Sequence, residues 1–115
     1  LDAWDRSFRE HDTVIAEQNG SIVGFGDMDA SGYLDRLYVH KDCQGRGVAS
    51  AICAWLERRS AAAEYITHAS LTARPFLERR GWQAVREQEV ERRGVWLKNV
   101  VMRKRRPEAT EKEKV

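Results

Sequence analysis

The stretch Cys43-Gln44-Gly45-Arg46-Gly47-Val48-Ala49-Ser50 decides how this chain folds. It lies between a strand-like run ending at Val39 and a helix-like run opening at Gly47. A glycine-broken passage from strand to helix points several backbone N–H groups into one small space. The first helical turn adds unpaired donors and the positive end of the helix dipole, so the place suits a phosphate. A side chain on Gly47 would stand where a diphosphate has to approach. Alone, such a loop is equally compatible with a plain tight turn, and the flanking pattern must arbitrate.

Downstream of the loop the period is helical. Val48, Ala51, Ile52, Trp55 and Leu56 recur at three- and four-residue spacing and draw one apolar stripe, closed by Arg58 and Arg59 at the negative end of the dipole. Upstream the period is that of strands. Thr13 to Glu17, Asn19-Gly20 and Ser21 to Met28 read as a hairpin, with Gly24 and Gly26 as expected bulge positions. Ser31-Gly32 turns the chain into a third strand, Tyr33 to Val39. After the helix, Glu64 to Ala69 is a short strand reached by a crossover, hence parallel to Tyr33–Val39. Thr72 to Arg80 reads as a helix with Pro75 in its first turn and Gly81 as its left-handed stop. Gln83 to Val90 and Val95 to Met102 close the chain as a hairpin around Arg92-Arg93-Gly94. At the start, Trp4 and Phe8 stand four apart and suggest a short helix over residues 2–10. Trp55, Phe76, Trp82 and Trp96 sit at core spacings.

Composition bounds the function. With 115 residues there is room for one domain and one modest core. A net charge of +2 is too small to argue for nucleic acid or an acidic membrane, and no apolar run is long enough to cross a bilayer. Arg103 to Arg106 lack interleaved aromatics and are offset by nearby glutamates, so residues 105–115 are expected to be a charged, solvated tail on a single domain of residues 1–104. His11, His40 and His68 share no ligand spacing with Cys43 or Cys53, so no metal is expected. Two cysteines without a disulfide framework, and no visible secretory leader, make the cytoplasm the expected compartment.

Meander, Gln-x-x-Gly-x-Ala turn, helix, parallel strand, helix and hairpin: this order resembles the GNAT superfamily of acetyl-CoA-dependent N-acetyltransferases. Three stretches carry the resemblance. Leu37-Tyr38-Val39-His40 with Gln44-Gly45-Arg46-Gly47-Val48-Ala49 is similar to the family's diphosphate motif. Ser70 to Trp82 is similar to the end of its second core helix, and Val90 to Val95 with Leu97, Asn99 and Met102 to the closing hairpin of a small bacterial branch. The resemblance implies an α/β (α+β) fold with a mixed, mainly antiparallel sheet, a central splayed parallel pair and flanking helices.

It also implies chemistry. Backbone N–H groups of Gly45, Arg46, Gly47, Val48, Ala49 and Ser50 would bind the diphosphate of acetyl-CoA, helped by the Gln44 and Arg46 side chains. Main-chain groups of Tyr38 and Val39 would pair with the pantetheine amides where the parallel strands splay, and a backbone N–H near Val39 would polarise the thioester. Acetyl would pass directly to a primary amine of a small molecule or peptide, within a ternary complex. Only the neutral amine attacks, so a base is needed. Asp35 is the one carboxylate on the strand before the turn, and by alternation shares a face with Leu37 and Val39, where part burial would raise its pKa. His68, at the end of the parallel strand, is the second candidate.

The chain departs from the family pattern twice. Leu77 stands where many members place a tyrosine that protonates the departing thiolate, leaving Tyr33, Tyr38 or solvent as the proton source. The family's first strand and two helices have no counterpart in about ten residues before Thr13, and the chain begins with Leu1, as a fragment would. Two alternatives follow: a truncated domain that binds acetyl-CoA without turnover, or a subunit whose Thr13–Glu17 strand, lacking its neighbour, pairs with a second copy.

Overall fold

In a computed structural model, the structure describes residues 2–8 and 11–107, with side chains from residue 12 onward. Seven strands form one sheet in the order β1-β2-β3-β4-β5-β7-β6. The strands are β1 (Asp2–Phe8), β2 (His11–Gln18), β3 (Ser21–Asp29), β4 (Tyr33–Val39), β5 (Glu64–Ser70), β6 (Gln83–Arg92) and β7 (Val95–Arg105). Among the described residues only β4 and β5 run parallel; every other neighbouring pair is antiparallel. A 3-10 turn at Lys41–Cys43 leads to helix α1 (Val48–Arg59), and helix α2 (Arg74–Arg79) follows β5.

Three of the five residues in the stripe expected of α1, Val48, Ile52 and Leu56, are nearly inaccessible, with Cys53 beside them; Trp55 is half-buried and Ala51 is exposed. They pack on β3, and there Gly24 and Gly26 make room for the helix. A Cβ on Gly26 would lie 2.7 Å from the Ile52 side chain, and one on Gly24 2.7 Å from the Tyr38 carbonyl oxygen. The glycines let α1 approach the sheet; of the two bulges here, one falls at Val23, beside Gly24 as expected, and the other at Asp35 on β4 rather than at Gly26. Tyr65, Leu77, Trp82, Val100 and Met102 complete the core. Pro75 opens α2 and Gly81, at φ +92°, ends it, as the sequence suggests.

Several expectations are corrected. Residues 2–8 form β1, which pairs with β2 from Asp2↔Glu17 to Phe8↔His11, and no helix forms there. A four-residue spacing is even, so Trp4 and Phe8 satisfy a period of two as readily as one of 3.6. The first strand is therefore present, and the Thr13–Glu17 edge proposed for pairing with a second copy is already occupied by β1. Trp96 is no core residue: it is 66% exposed, on the part of the β6–β7 hairpin beyond the last β5 pairing, Ser70↔Asn99. Strand β7 continues through Lys104 and Arg105, which pair with Tyr65 and Glu64. Arg105 thus does not belong to the tail expected at residues 105–115, and residues 108–115 lie outside the described residues.

Candidate active site

The parallel pair supplies the opening. Strands β4 and β5 are paired only at Tyr33↔Ile66 and Leu34↔Thr67. Beyond that point the edges of β4 (Asp35–Val39) and β5 (His68–Ser70) part, and their facing N–H and C=O groups have no ladder partner. The last link is held by a side chain: the buried Thr67 Oγ1–H donates to the Leu34 carbonyl at 2.7 Å. That hydroxyl occupies the Leu34 acceptor just where strand pairing stops.

The gap continues into a cleft of about 520 Å³ between the end of β4, the loop before α1 and the flank of α2. Leu37, Val39, Ala73 and Phe76 give it apolar walls; Gln44, Gly45, Gly47, Val48, Ala49 and Ser50 form its loop side, and Arg79 adds a cation. Gly47 is the N-cap of α1 at φ +79°, with no side-chain cap bond and no acidic residue in the first turn. The helix of twelve residues therefore presents its first N–H groups uncapped toward the cleft. A Cβ on Gly45 or Gly47 would meet nothing within 4 Å, so the cradle is open rather than plugged. Both glycines hold left-handed backbone, which turns consecutive N–H groups the same way.

The family model that matches residues 1–105 is described as an acetyltransferase (GNAT) domain. The chain belongs to the GNAT acetyltransferase family. It is 38% identical over 100 residues to YafP, an uncharacterised N-acetyltransferase of Escherichia coli (strain K12), a match spanning 87% of this chain and 65% of YafP. It superposes on a GCN5-related N-acetyltransferase from Rhodopseudomonas palustris with a TM-score of 0.80 at 34% identity, covering 83% of this chain and 61% of that one. It also shares the fold of yncA from Salmonella typhimurium, solved with its cofactor acetyl-CoA, at TM-score 0.70 and 16% identity, over 87% of this chain and 67% of that one. The chain thus spans a little under two thirds of the length of YafP and of the Rhodopseudomonas protein.

Within this GNAT sheet, Val39, Gln44, Gly45, Gly47, Val48, Ala49 and Ser50 all line the cleft. Arg46 is exposed and does not line it, and the Tyr38 ring lies against Phe25, centroids 5.6 Å apart, away from it. Sequence reasoning missed Leu37, Cys43, Ala73, Phe76 and Arg79 as lining. The Cys43 and Leu37 positions were readable from their places beside the loop and on β4; Ala73, Phe76 and Arg79 come from α2, which only the tertiary packing brings alongside.

A smaller cavity of about 180 Å³ lies where the strands part and brings Asp35 and His68 together with Leu34, Leu37, Thr67 and Leu77. Asp35 is exposed, against the expectation of part burial. The reason is a bulge: β3 residues Asp27 and Met28 face Arg36 and Leu34, so Asp35 is the extra residue and simple alternation fails there. Nor does Asp35 hold Arg36. Arg36 forms a forked ion pair with buried Asp27, its Nε 2.8 Å from Oδ2, while its backbone N–H donates to Oδ1 at 3.0 Å. The His68 ring meets Tyr33 edge-on, centroids 5.5 Å apart. Burial, with the Asp35 and Asp29 carboxylates adding to it, pushes the Tyr33 phenol above its ordinary range, so it carries its proton at neutral pH. Among the described residues no group of three His, Cys, Asp or Glu side chains could hold a metal, and no helix is long and apolar enough to cross a membrane.

Proposed function

We propose that this chain moves acetyl from acetyl-CoA to a primary amine of a small molecule or peptide by direct attack in a ternary complex. One observation carries the reading: the sheet parts after Leu34↔Thr67 into a cleft whose far end is the uncapped start of α1. The unpaired edge of β4 suits an amide-bearing arm laid alongside as an extra strand, with Val39 providing main-chain partners, while Tyr38 turns its N–H and C=O to Phe25 on β3. The N–H groups from Gly45 to Ser50 suit a diphosphate, with Arg79 adding opposite charge from α2 and Arg46 free to fold in from the loop.

Acetyl-CoA supplies the activated acetyl group. Asp35 and His68 stand together at the point where the strands separate, and either accepts the proton that an ammonium must lose before it attacks. The Val39 N–H stabilises the developing oxyanion. Tyr33, protonated and against the His68 ring, is better placed than Tyr38 to return a proton, since Tyr38 is turned toward Phe25. Leu77 is buried in the core beside this cavity and donates nothing.

A second reading, binding of acetyl-CoA without turnover, is favoured by Leu77, an apolar side chain at the cavity where a proton donor would be wanted. Calorimetry with acetyl-CoA, together with thiol release over a panel of primary amines, separates the two. Binding with release supports transfer; binding without release supports the second reading; no binding contradicts both. A single domain that takes in Arg105 and Arg106, a cytoplasmic location and the absence of nucleic-acid or membrane partners remain part of the proposal.

A further inference from the structure

A second cavity, of about 540 Å³, opens on the other half of α1 and shares no lining residue with the acetyl-CoA cleft. Three guanidinium groups line it: Arg58 from α1, Arg80 at the end of α2, and Arg106 just past β7. The carboxylate among them, Glu57, is already engaged on both oxygens, taking Arg80 Nη2–H at 3.3 Å and Lys104 Nζ–H at 2.8 Å. Arg80 and Lys104 thus share one carboxylate, and Arg58 and Arg106 line the same cavity as it. Among the described residues Arg58 and Arg106 have no ion-pair partner, and the Arg80 Nε is buried with no hydrogen-bond partner. Like charges held this close repel one another, and a folded chain gains by placing an anion between them.

We infer that this cavity binds a phosphate-bearing small molecule. A phosphate presents three terminal oxygens and up to two charges, enough to meet guanidinium groups arriving from three separate elements, which a carboxylate's two oxygens cannot. The cavity is also larger than a phosphate alone needs, so an organic body fits beside it. The Arg103–Arg106 run, read from sequence as part of a solvated tail, is in this account partly structural: Lys104 serves Glu57, the Arg106 backbone N–H is fixed on the Ala63 carbonyl at 2.9 Å, and only the Arg106 side chain faces the ligand. The two sites adjoin through one side chain, because Arg80 Nη1–H donates to Ser50 Oγ at 2.8 Å and Ser50 lines the cleft.

The test is calorimetry of the full chain at physiological salt with inorganic pyrophosphate and with AMP, each with and without saturating coenzyme A. The site takes one pyrophosphate or AMP while coenzyme A is bound. Exchanging Arg58→Gln together with Arg106→Gln, both exposed and outside the core, weakens that binding about tenfold or more and leaves acetyl-CoA affinity unchanged. Tighter AMP points to a phosphate carried on an organic body, tighter pyrophosphate to the free anion. Displacement of the probe by coenzyme A one for one, equal binding to the double variant, or no binding of either probe overturns the inference. A chain that fails to bind coenzyme A but still loses pyrophosphate in the double variant keeps this site and removes the acetyl-CoA reading instead.

Discussion

Replacing Gly47 by alanine isolates the contact on which the acetyl-CoA reading rests, because the structure supplies a matched control. Gly47 has φ +79° and Gly20, in the β2–β3 turn, has φ +80°, and at both positions a Cβ would meet nothing within 4 Å. Left-handed backbone costs an alanine roughly 1–2 kcal/mol. The stiffer unfolded chain returns about 0.4–1 kcal/mol of that. Gly47→Ala and Gly20→Ala should therefore each destabilise by about 1 kcal/mol, a fall of a few degrees in Tm for a domain of this size, roughly 4–8 °C per kcal/mol. They should differ in binding. The methyl on residue 47 projects into the space where the diphosphate oxygens meet the N–H groups of the α1 start, so acetyl-CoA affinity falls at least about tenfold, or about 1.4 kcal/mol. The methyl on residue 20 projects into solvent far from the cleft and leaves affinity as it was. Thermal denaturation and isothermal titration on the three proteins read both quantities. Equal acetyl-CoA affinity in Gly47→Ala and Gly20→Ala would refute the placement of the diphosphate.

Burial pushes the Cys53 thiol from its ordinary 9.0 up to about 11. A pKa raised in the folded state gives stability that is intact below pH 9 and is lost as pH rises toward 11; relative to Cys53→Ala the chain should lose about 3 kcal/mol over that window, measured by denaturant titration at each pH. By the same burial Cys53 should resist iodoacetamide, whereas Cys43, which lines the cleft, reacts and is shielded by acetyl-CoA; mass mapping of the modified thiol decides it. Glu57→Ala leaves Arg80 and Lys104, both more than four-fifths buried, without their counter-charge, and should cost about 2–3 kcal/mol in urea unfolding. Thr67→Val keeps the shape but strips the Leu34 carbonyl of its buried donor, for a loss of about 1–2 kcal/mol; an unchanged unfolding midpoint would show that the hydroxyl does not secure the point where the strands part.

The parts of this fold that were legible in the sequence are those written in local chemistry. The Asn19-Gly20 turn, the α1 stripe, the Gly81 stop and the crossover to a parallel strand each announce themselves within a few residues. The readings that failed are those where one pattern serves two structures. Trp4 and Phe8 fit a strand as well as a helix, and the N-terminal residues count as β1 only because β2 is there to receive them. Gly24 does adjoin a bulge, at Val23, but what demands glycine at both 24 and 26 is a helix arriving more than twenty residues later. Asp35 illustrates the opposite limit: a single extra residue against β3 cancels the alternation from which its burial was argued. The loop side of the cleft was readable because consecutive residues build it. The α2 side was not, because Ala73, Phe76 and Arg79 reach the cleft through packing and carry no motif of their own.

Main-chain amides grip the cofactor's diphosphate in this account, and an amide-detected titration of ¹⁵N-labelled chain with acetyl-CoA observes those amides one by one. The account predicts that the largest shifts fall on Gly45 through Ser50, with a second group at Tyr38 and Val39. Saturating acetyl-CoA that leaves those signals in place, or moves others instead, would contradict it.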